Sequence, residues 1–93
     1  MKIMTAIVKI KIMPISVETD LEEIKSKSKE LVESQNGENI SFEEEPIAFG
    51  LKAVIVTFYW NEEKELENLE KSLENMENVN SIQVVDMRRA IGN

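Results

Sequence analysis

The stretch Glu43–Trp60, EEEPIAFGLKAVIVTFYW, decides the fold of this chain. Its second half, Leu51 to Trp60, is the longest apolar run and is rich in β-branched and aromatic residues, which is typical of a central β-strand. Its first half contains Pro46 and Gly50, which indicate a turn, with apolar residues between them. An apolar side chain at a loop tip either folds back onto the core or contacts a partner, and the residues alone leave both possibilities open.

The segment before this stretch predicts one strand and one helix. Apolar residues at alternate positions from Met4 to Ile12 predict a strand with one buried face, which Met13-Pro14 is expected to end. Thr19 and Asp20 are good N-cap residues for a helix that continues to about Glu33 and ends at Asn36-Gly37. The apolar stripe expected for this helix contains Leu21, Ile24, Ser28 and Leu31.

The remaining elements are predicted in the same way. Ile40 to Glu45 is expected to be an edge strand, because Pro46 cannot donate a hydrogen bond to a sheet. In the third strand, Val54, Val56 and Phe58 should share the buried face. Asn61 is the expected N-cap of a helix from Glu62 to about Glu77, with a stripe formed by Leu66, Leu69, Leu73 and Met76. A last strand from Ser81 to Met87, with Ile82 and Val84 facing inward, precedes a short tail that begins at Arg88.

The resulting order, β-α-β-β-α-β, predicts an α+β fold of the ferredoxin-like type. Right-handed crossovers place both helices on one face of a four-stranded antiparallel sheet, with the first and third strands in its centre. The length of 93 residues suits a single domain over residues 1–93. The other face of the sheet is partly apolar, and it is interpreted either as a contact surface or as scattered surface hydrophobic residues. Its members are expected to be Ile7, Lys9, Ala53, Ile55, Thr57, Gln83 and Val85.

Composition excludes several classes of function. The formal charge of −7, from 18 acidic and 11 basic residues, disfavours binding to nucleic acid or to an anionic membrane and suits a basic partner. Cysteine and histidine are absent, so the chain lacks the commonest nucleophile–base pairs and the commonest metal ligand. The N-terminal apolar stretch is interrupted by Lys9 and Lys11, which favours a strand over a signal peptide, and a cytoplasmic location is expected.

Specific chemical sites are not predicted. Glu43, Glu44 and Glu45 alternate faces in an extended strand, so they do not converge as catalytic carboxylates or as a cation site, and a solvated strand edge explains them better. Phe58, Tyr59 and Trp60 are adjacent instead of spaced over two strands, which disfavours an RNA-binding module. No catalytic residue, metal site or cofactor is expected.

The segment Glu44 to Leu51, with the sequence EEPIAFGL, resembles the signature of the archaeal translation elongation factor 1-beta family. Three other features are similar: the Val8 to Pro14 strand that ends in Met-Pro, the Asp-Leu-Glu start of the first helix, and the ending Val-Val-Asp-Met-Arg-Arg. The resemblance implies a guanine-nucleotide exchange factor for elongation factor 1-alpha, the GTPase that delivers aminoacyl-tRNA to the ribosome. It also implies the ferredoxin-like domain predicted above.

The resemblance further implies which residues contact the partner. The family places an aromatic residue of this loop against the GTPase, and Phe49 is the matching position. Eukaryotic relatives carry a penultimate Lys that reaches the magnesium and phosphate region of the GTPase, whereas the penultimate residue here is Gly92. The nearest cations are Arg88 and Arg89. The partner-binding residues expected from the resemblance are therefore Pro46, Ile47, Phe49, Gly50, Arg88 and Arg89.

Exchange requires no bond-making chemistry, so the chain is not expected to be an enzyme. The alternative hypothesis, from a different class, is a small-molecule-binding regulatory domain that uses the same scaffold, because this fold hosts many unrelated functions. The oligomeric state is left open.

Overall fold

The computed structural model describes residues 4–90. The predicted order and fold class are confirmed: four strands form one sheet, and two helices complete a ferredoxin-like α+β fold. The elements are β1 (Thr5–Pro14), α1 (Leu21–Ser34), β2 (Glu38–Pro46), a single 3-10 turn (Ala48–Gly50), β3 (Lys52–Asn61), α2 (Glu67–Glu74) and β4 (Val79–Arg89). Over residues 4–90, no helix combines the length and the apolar character needed to cross a membrane.

The sheet has the order β2-β3-β1-β4, and every neighbouring pair is antiparallel. The central positions of β1 and β3 are as predicted, and so is the edge position of β2. Between β1 and β3 the register is continuous from Thr5 opposite Asn61 to Ile12 opposite Val54. The ladder between β1 and β4 is interrupted twice, by bulges at Val85 and at Asn80, because neither residue has a partner opposite it on β1.

Alternate side chains of the two central strands fill the layer between the sheet and the helices. This inner row consists of Ala6, Val8, Ile10 and Ile12 from β1 and Val54, Val56, Phe58 and Trp60 from β3, all of them buried. Met4 was expected in the same row, but it precedes the first strand residue and is exposed. Trp60 meets Phe58 edge to face, with ring centroids 5.8 Å apart, and extends the core to the end of β3.

Helix α1 begins and ends with local hydrogen bonds that its sequence encodes. The Asp20 carboxylate accepts a hydrogen bond of 3.0 Å from the Glu22 N–H, which confirms Asp20 as the N-cap. At the other end Asn36 has a positive φ of 72°, and the Gly37 N–H donates to the Val32 carbonyl at 2.8 Å, as in a Schellman motif. A side chain at Gly37 would meet Val32, because a Cβ atom there would lie 2.3 Å from Val32 Cγ1.

The buried face of α1 is shifted from the predicted stripe. Ile24, Ser28 and Val32 are buried, whereas Leu21 and Leu31 are half-buried. Val32 lies one turn beyond Ser28 and therefore points to the same face. Ser28 fits into the core because its hydroxyl donates to the Ile24 carbonyl at 2.6 Å, which leaves no unsatisfied polar atom.

The second helix is shorter than predicted. Helix α2 starts at Glu67 and not at Glu62, because Asn61 caps a turn instead of the helix: its side chain accepts from the Glu63 N–H at 2.9 Å. The segment after Asn61 is further fixed by a cation–π contact, in which the Lys64 ammonium lies 4.5 Å from the centroid of the Trp60 ring. Of the predicted stripe, Leu69 and Leu73 are buried within α2, whereas Leu66 and Met76 flank the helix and are partly buried against the core.

The face of the sheet opposite the helices is partly closed by an ion pair. Lys11 on β1 lies 2.9 Å from Glu45 on β2, and the two strands are separated by β3. The lysine stem therefore crosses β3, where Ala53 and Ile55 are buried although no helix covers them. Of the face proposed from the sequence, Val85 is the large apolar side chain that stays substantially exposed.

The core assignment predicts the effect of one substitution. Val56→Asp should abolish cooperative unfolding, because it buries an unpaired carboxylate at a cost of several kcal/mol against a total stability of about 5–15 kcal/mol. Thermal unfolding followed by circular dichroism measures this. The control is Thr57→Asp, on the opposite face of the same strand and across from Lys9. A Val56→Asp protein that melts like the wild type would contradict the assignment of the strand faces.

Candidate functional site

The β2–β3 connection is a tight turn closed by its own backbone. Pro46 and Lys52 face each other as the last pair of the hairpin. The Ile47 N–H donates to the Leu51 carbonyl at 2.7 Å, and the Leu51 N–H donates to the Ala48 carbonyl at 3.3 Å. These bonds fix the loop without contributions from any other element. The loop residues named from the resemblance, Pro46, Ile47, Phe49 and Gly50, therefore form one compact group.

Phe49 occupies the tip of this turn in a strained conformation. Its φ and ψ are 63° and 30°, in the left-handed region, and the residue is 97% exposed. This region costs a residue with a side chain about 1–2 kcal/mol, and no burial of the ring offsets the cost. Gly50 follows with φ of 81°, where glycine is the natural residue. The alternative in which Phe49 folds back onto the core is therefore excluded, and strain of this kind is characteristic of functional positions.

The acidic residues before the turn are part of the fold. Glu44 lies 2.8 Å from Lys25 of α1 and accepts its hydrogen bond, which lowers the pKa of the Glu44 carboxyl and raises that of the Lys25 ammonium. Glu45 is paired with Lys11 across the sheet. Glu43 is exposed. Across the part of the chain that the structure describes, no group of three or more carboxylates is arranged to hold a metal ion.

Arg88 and Arg89 are strand residues, not tail residues as predicted. They are the last two residues of β4, and the Ala90 N–H still donates to the Thr5 carbonyl at 2.8 Å. The guanidinium of Arg89 makes two hydrogen bonds to the Glu62 carboxylate, at 2.9 and 3.2 Å, and these raise the pKa of Arg89. Arg88 makes two hydrogen bonds to Asp86, at 2.7 and 3.1 Å. Gly92, which the resemblance compared with a penultimate Lys, lies outside the described residues.

The turn and the arginines lie at opposite ends of the sheet. Pro46 is opposite Lys52 at the start of β3, whereas Arg89 is opposite Ala6, which is itself opposite Trp60 near the end of β3. Eight strand residues separate these positions, a distance of about 26 Å along the strand. The molecule measures 47 Å along its longest axis. The predicted contact residues therefore form two separate groups, and only a partner that spans the sheet touches both.

Sequence reasoning missed two exposed apolar residues near the turn. Ile15 and Val17, in the connection between β1 and α1, are 59% and 61% exposed. In the sequence, Ser16, Thr19 and Asp20 make this connection look polar, and only Thr19 and Asp20 were singled out, as N-cap residues. The available signal was the presence of two β-branched residues in a segment that needs none.

Comparisons with known proteins agree with the resemblance drawn from the sequence. Residues 7–90 match the family described as the EF-1 guanine nucleotide exchange domain. Elongation factor 1-beta of Methanosarcina barkeri is 46% identical over 82 residues, which are 87% of this chain and 92% of that protein. Elongation factor 1-beta of Methanococcus maripaludis is 41% identical over 85 residues, which are 89% of this chain and 94% of that protein. The matched range includes both the β2–β3 turn and the end of β4.

The geometry of Phe49 predicts that its side chain contributes nothing to folding. Phe49→Ala should change the melting temperature by less than about 3 °C, since the ring is exposed and loses no buried contacts, whereas truncation of a buried Phe costs about 3–5 kcal/mol. Phe49→Gly should be at least as stable as Phe49→Ala, because glycine adopts the left-handed region without strain. Thermal unfolding of both variants tests this, and strong destabilisation by Phe49→Ala would assign the ring to the core.

Proposed function

Because this chain belongs to the EF-1 guanine nucleotide exchange domain family, we propose that it promotes exchange of GDP for GTP on elongation factor 1-alpha by binding the nucleotide-free GTPase. The observation that carries the proposal is Phe49, an exposed aromatic residue held in a strained conformation at the end of a rigid hairpin. The partner named here also fits the name of the relatives, elongation factor 1-beta.

Exchange of this kind needs no covalent step. The factor binds the nucleotide-free GTPase more tightly than the nucleotide-bound form, and by linkage it weakens nucleotide binding by the same ratio. A thousand-fold weakening corresponds to a difference in binding free energy of about 4 kcal/mol. A chain without histidine or cysteine is suited to this task, because differential binding requires shape and charge complementarity instead of reactive groups.

Phe49 is suited to be the anchor of this binding. Large aromatic residues dominate interface energies, and a single one contributes about 2 kcal/mol or somewhat more when it fills a pocket. The turn is closed by two hydrogen bonds of its own, so the backbone that carries the ring is already ordered and loses little conformational freedom on binding. One anchor supplies only part of the required difference, so further contacts must act with it.

We assign the second contact to Arg89 at the far end of the sheet. Its guanidinium is held by Glu62, so binding to a phosphate or to a magnesium ligand of the GTPase has to replace or share this ion pair. Arginine presents a planar fork with several donors, whereas lysine presents a compact charge, so Arg89 is suited to bind oxygen atoms in pairs. Two contacts separated by about 26 Å of strand bind the GTPase over the length of the sheet and fix its orientation.

The loop contact is tested by the rate of GDP release. Wild-type protein at micromolar concentration should accelerate release of fluorescent GDP from elongation factor 1-alpha, and Phe49→Ala should slow this exchange at least tenfold. Val85→Ala is the control, because Val85 is also an exposed apolar residue but lies at the β4 bulge in the middle of the sheet, between the two proposed contacts. Absence of any acceleration by the wild type would contradict the proposed function and leave the small-molecule-binding domain as the alternative.

The role of Arg89 is tested by separating affinity from the maximal rate. Arg89→Ala should lower the saturating rate of GDP release while affinity for the nucleotide-free GTPase changes by no more than a fewfold, since the contact acts on the magnesium and phosphate region. The difference should shrink when magnesium is chelated. Glu62→Gln, which removes the competing carboxylate, should not lower the rate. A saturating rate unchanged by Arg89→Ala in excess magnesium would restrict Arg89 to a surface role.

A further inference from the structure

The β1–α1 loop presents exposed apolar side chains at the same end of the sheet as the β2–β3 turn. Val17 and the β2–β3 turn are neighbours: a Cβ atom built on Gly50 would lie 3.8 Å from Val17 Cγ1. A cleft of about 240 Å³ separates the two loops and is lined by residues of both, among them Val17, Thr19 and Gly50. Ile15 lies at the same end of the sheet, directly after Pro14. The exposed side chains of Ile15, Val17 and Phe49 are called the two-loop surface below.

The backbone holds the β1–α1 loop in place. The Ile15 N–H donates to the Asn78 carbonyl at 3.0 Å, which ties the loop to the start of β4. The Ser16 side chain accepts from the Glu18 N–H at 3.1 Å, and the Ser16 carbonyl accepts from the Thr19 N–H at 3.3 Å. Ile15 and Val17 are thus directed outward by an ordered loop. Their exposure is a fixed property of the fold.

The charges around the two-loop surface are acidic. Glu18 adjoins Val17 and forms no ion pair with any of the residues 4–90. The nearby cations Lys25 and Lys52 are balanced by Glu22 and Glu44: Lys25 lies 3.0 Å from Glu22 and 2.8 Å from Glu44, and Lys52 lies 4.0 Å from Glu44. Glu18 is therefore the excess charge at this end. A partner that covers this end therefore complements it with an apolar centre and a basic rim.

We propose that Ile15 and Val17 extend the Phe49 contact, so that the two-loop surface as a whole docks on the GTPase. The occupant is one protein surface with an apolar pocket surrounded by basic side chains. The inference rests on the proposed function, since it assigns further residues to the interface of the same partner. It adds a contact that the loop signature does not contain, because Ile15 and Val17 lie 30 or more residues before Phe49 in the chain.

The experiment titrates each variant against GDP-loaded elongation factor 1-alpha and measures the concentration that gives half of the maximal rate of GDP release. Ile15→Ser and Val17→Ser should each raise the concentration needed for half-saturation about fivefold. This is the loss expected when an aliphatic side chain is no longer removed from water on binding. The double variant should raise this concentration about twentyfold, because the two effects are nearly independent. Val85→Ser is the matched control, since Val85 is an exposed valine on the β4 bulge, and it should bind as the wild type does.

The charge complementarity between Glu18 and the basic side chains of the partner is tested separately. Glu18→Gln should slow association with the GTPase a fewfold at low ionic strength, and the difference should disappear in high salt. Glu30→Gln, on the exposed side of α1, is the matched control. Equal association rates for wild type and Glu18→Gln at low salt would contradict the proposal that the partner surrounds its apolar pocket with basic side chains.

The outcomes separate this inference from the proposed function. If Phe49→Ala impairs exchange while Ile15→Ser and Val17→Ser behave as the wild type, the two-loop surface is overturned and the proposed function stands. If the wild type itself has no effect on GDP release, both are overturned. Concentration-dependent dimerisation that Val17→Ser abolishes, with GTPase binding unchanged, would assign the surface to a second copy of the chain and overturn the inference. Equal melting temperatures of all variants confirm that each loss reflects binding.

Discussion

The continuous antiparallel register between β1 and β3 is the constraint on which the structure depends. Each residue from Thr5 to Ile12 has a fixed partner, so the inner side chains of both strands are brought to one face as a dense apolar row. Because strand side chains alternate with a period of two, a shift by one residue would turn this row toward water. The same register determines the two ends of the molecule. It places the β2–β3 turn at the start of β3 and, through β1, places Arg89 near its end.

Helices and strands that follow a periodic pattern of burial are predicted from the sequence. Element boundaries that depend on a single polar contact are not. Alternation identified the inner row of β1 and β3, and the helical period identified Leu69 and Leu73. The start of α2 was missed because Asn61 caps a local turn and Lys64 interacts with Trp60, a contact between residues that no period reveals. The last strand was predicted to end at Met87, yet it continues through Arg88 and Arg89, each of which has a carboxylate that neutralises it within the fold. Composition does not reveal such pairings.

The candidate site was predictable only in part for the same reason. The Pro–Gly turn and its aromatic residue were visible in the sequence, but the left-handed conformation that exposes the ring depends on the backbone. Val17 was not singled out because its position beside Gly50, a neighbour distant in the chain, comes from the fold. A site made of side chains from several loops has no periodic signature. Its location follows from the sheet order, and its chemistry follows from which residues the fold leaves exposed.

The hydrogen bonds that close the β2–β3 turn are local. Both closing hydrogen bonds join atoms within Ile47–Leu51, and the two left-handed residues are consecutive, so the six residues from Pro46 to Leu51 encode their own geometry. Such a segment is a transplantable module. Grafted between two antiparallel strands of an unrelated scaffold, or cyclised as a short peptide, it retains the information needed to project an aromatic ring away from a hairpin. The turn that we propose as the recognition element can therefore be separated from the domain that carries it.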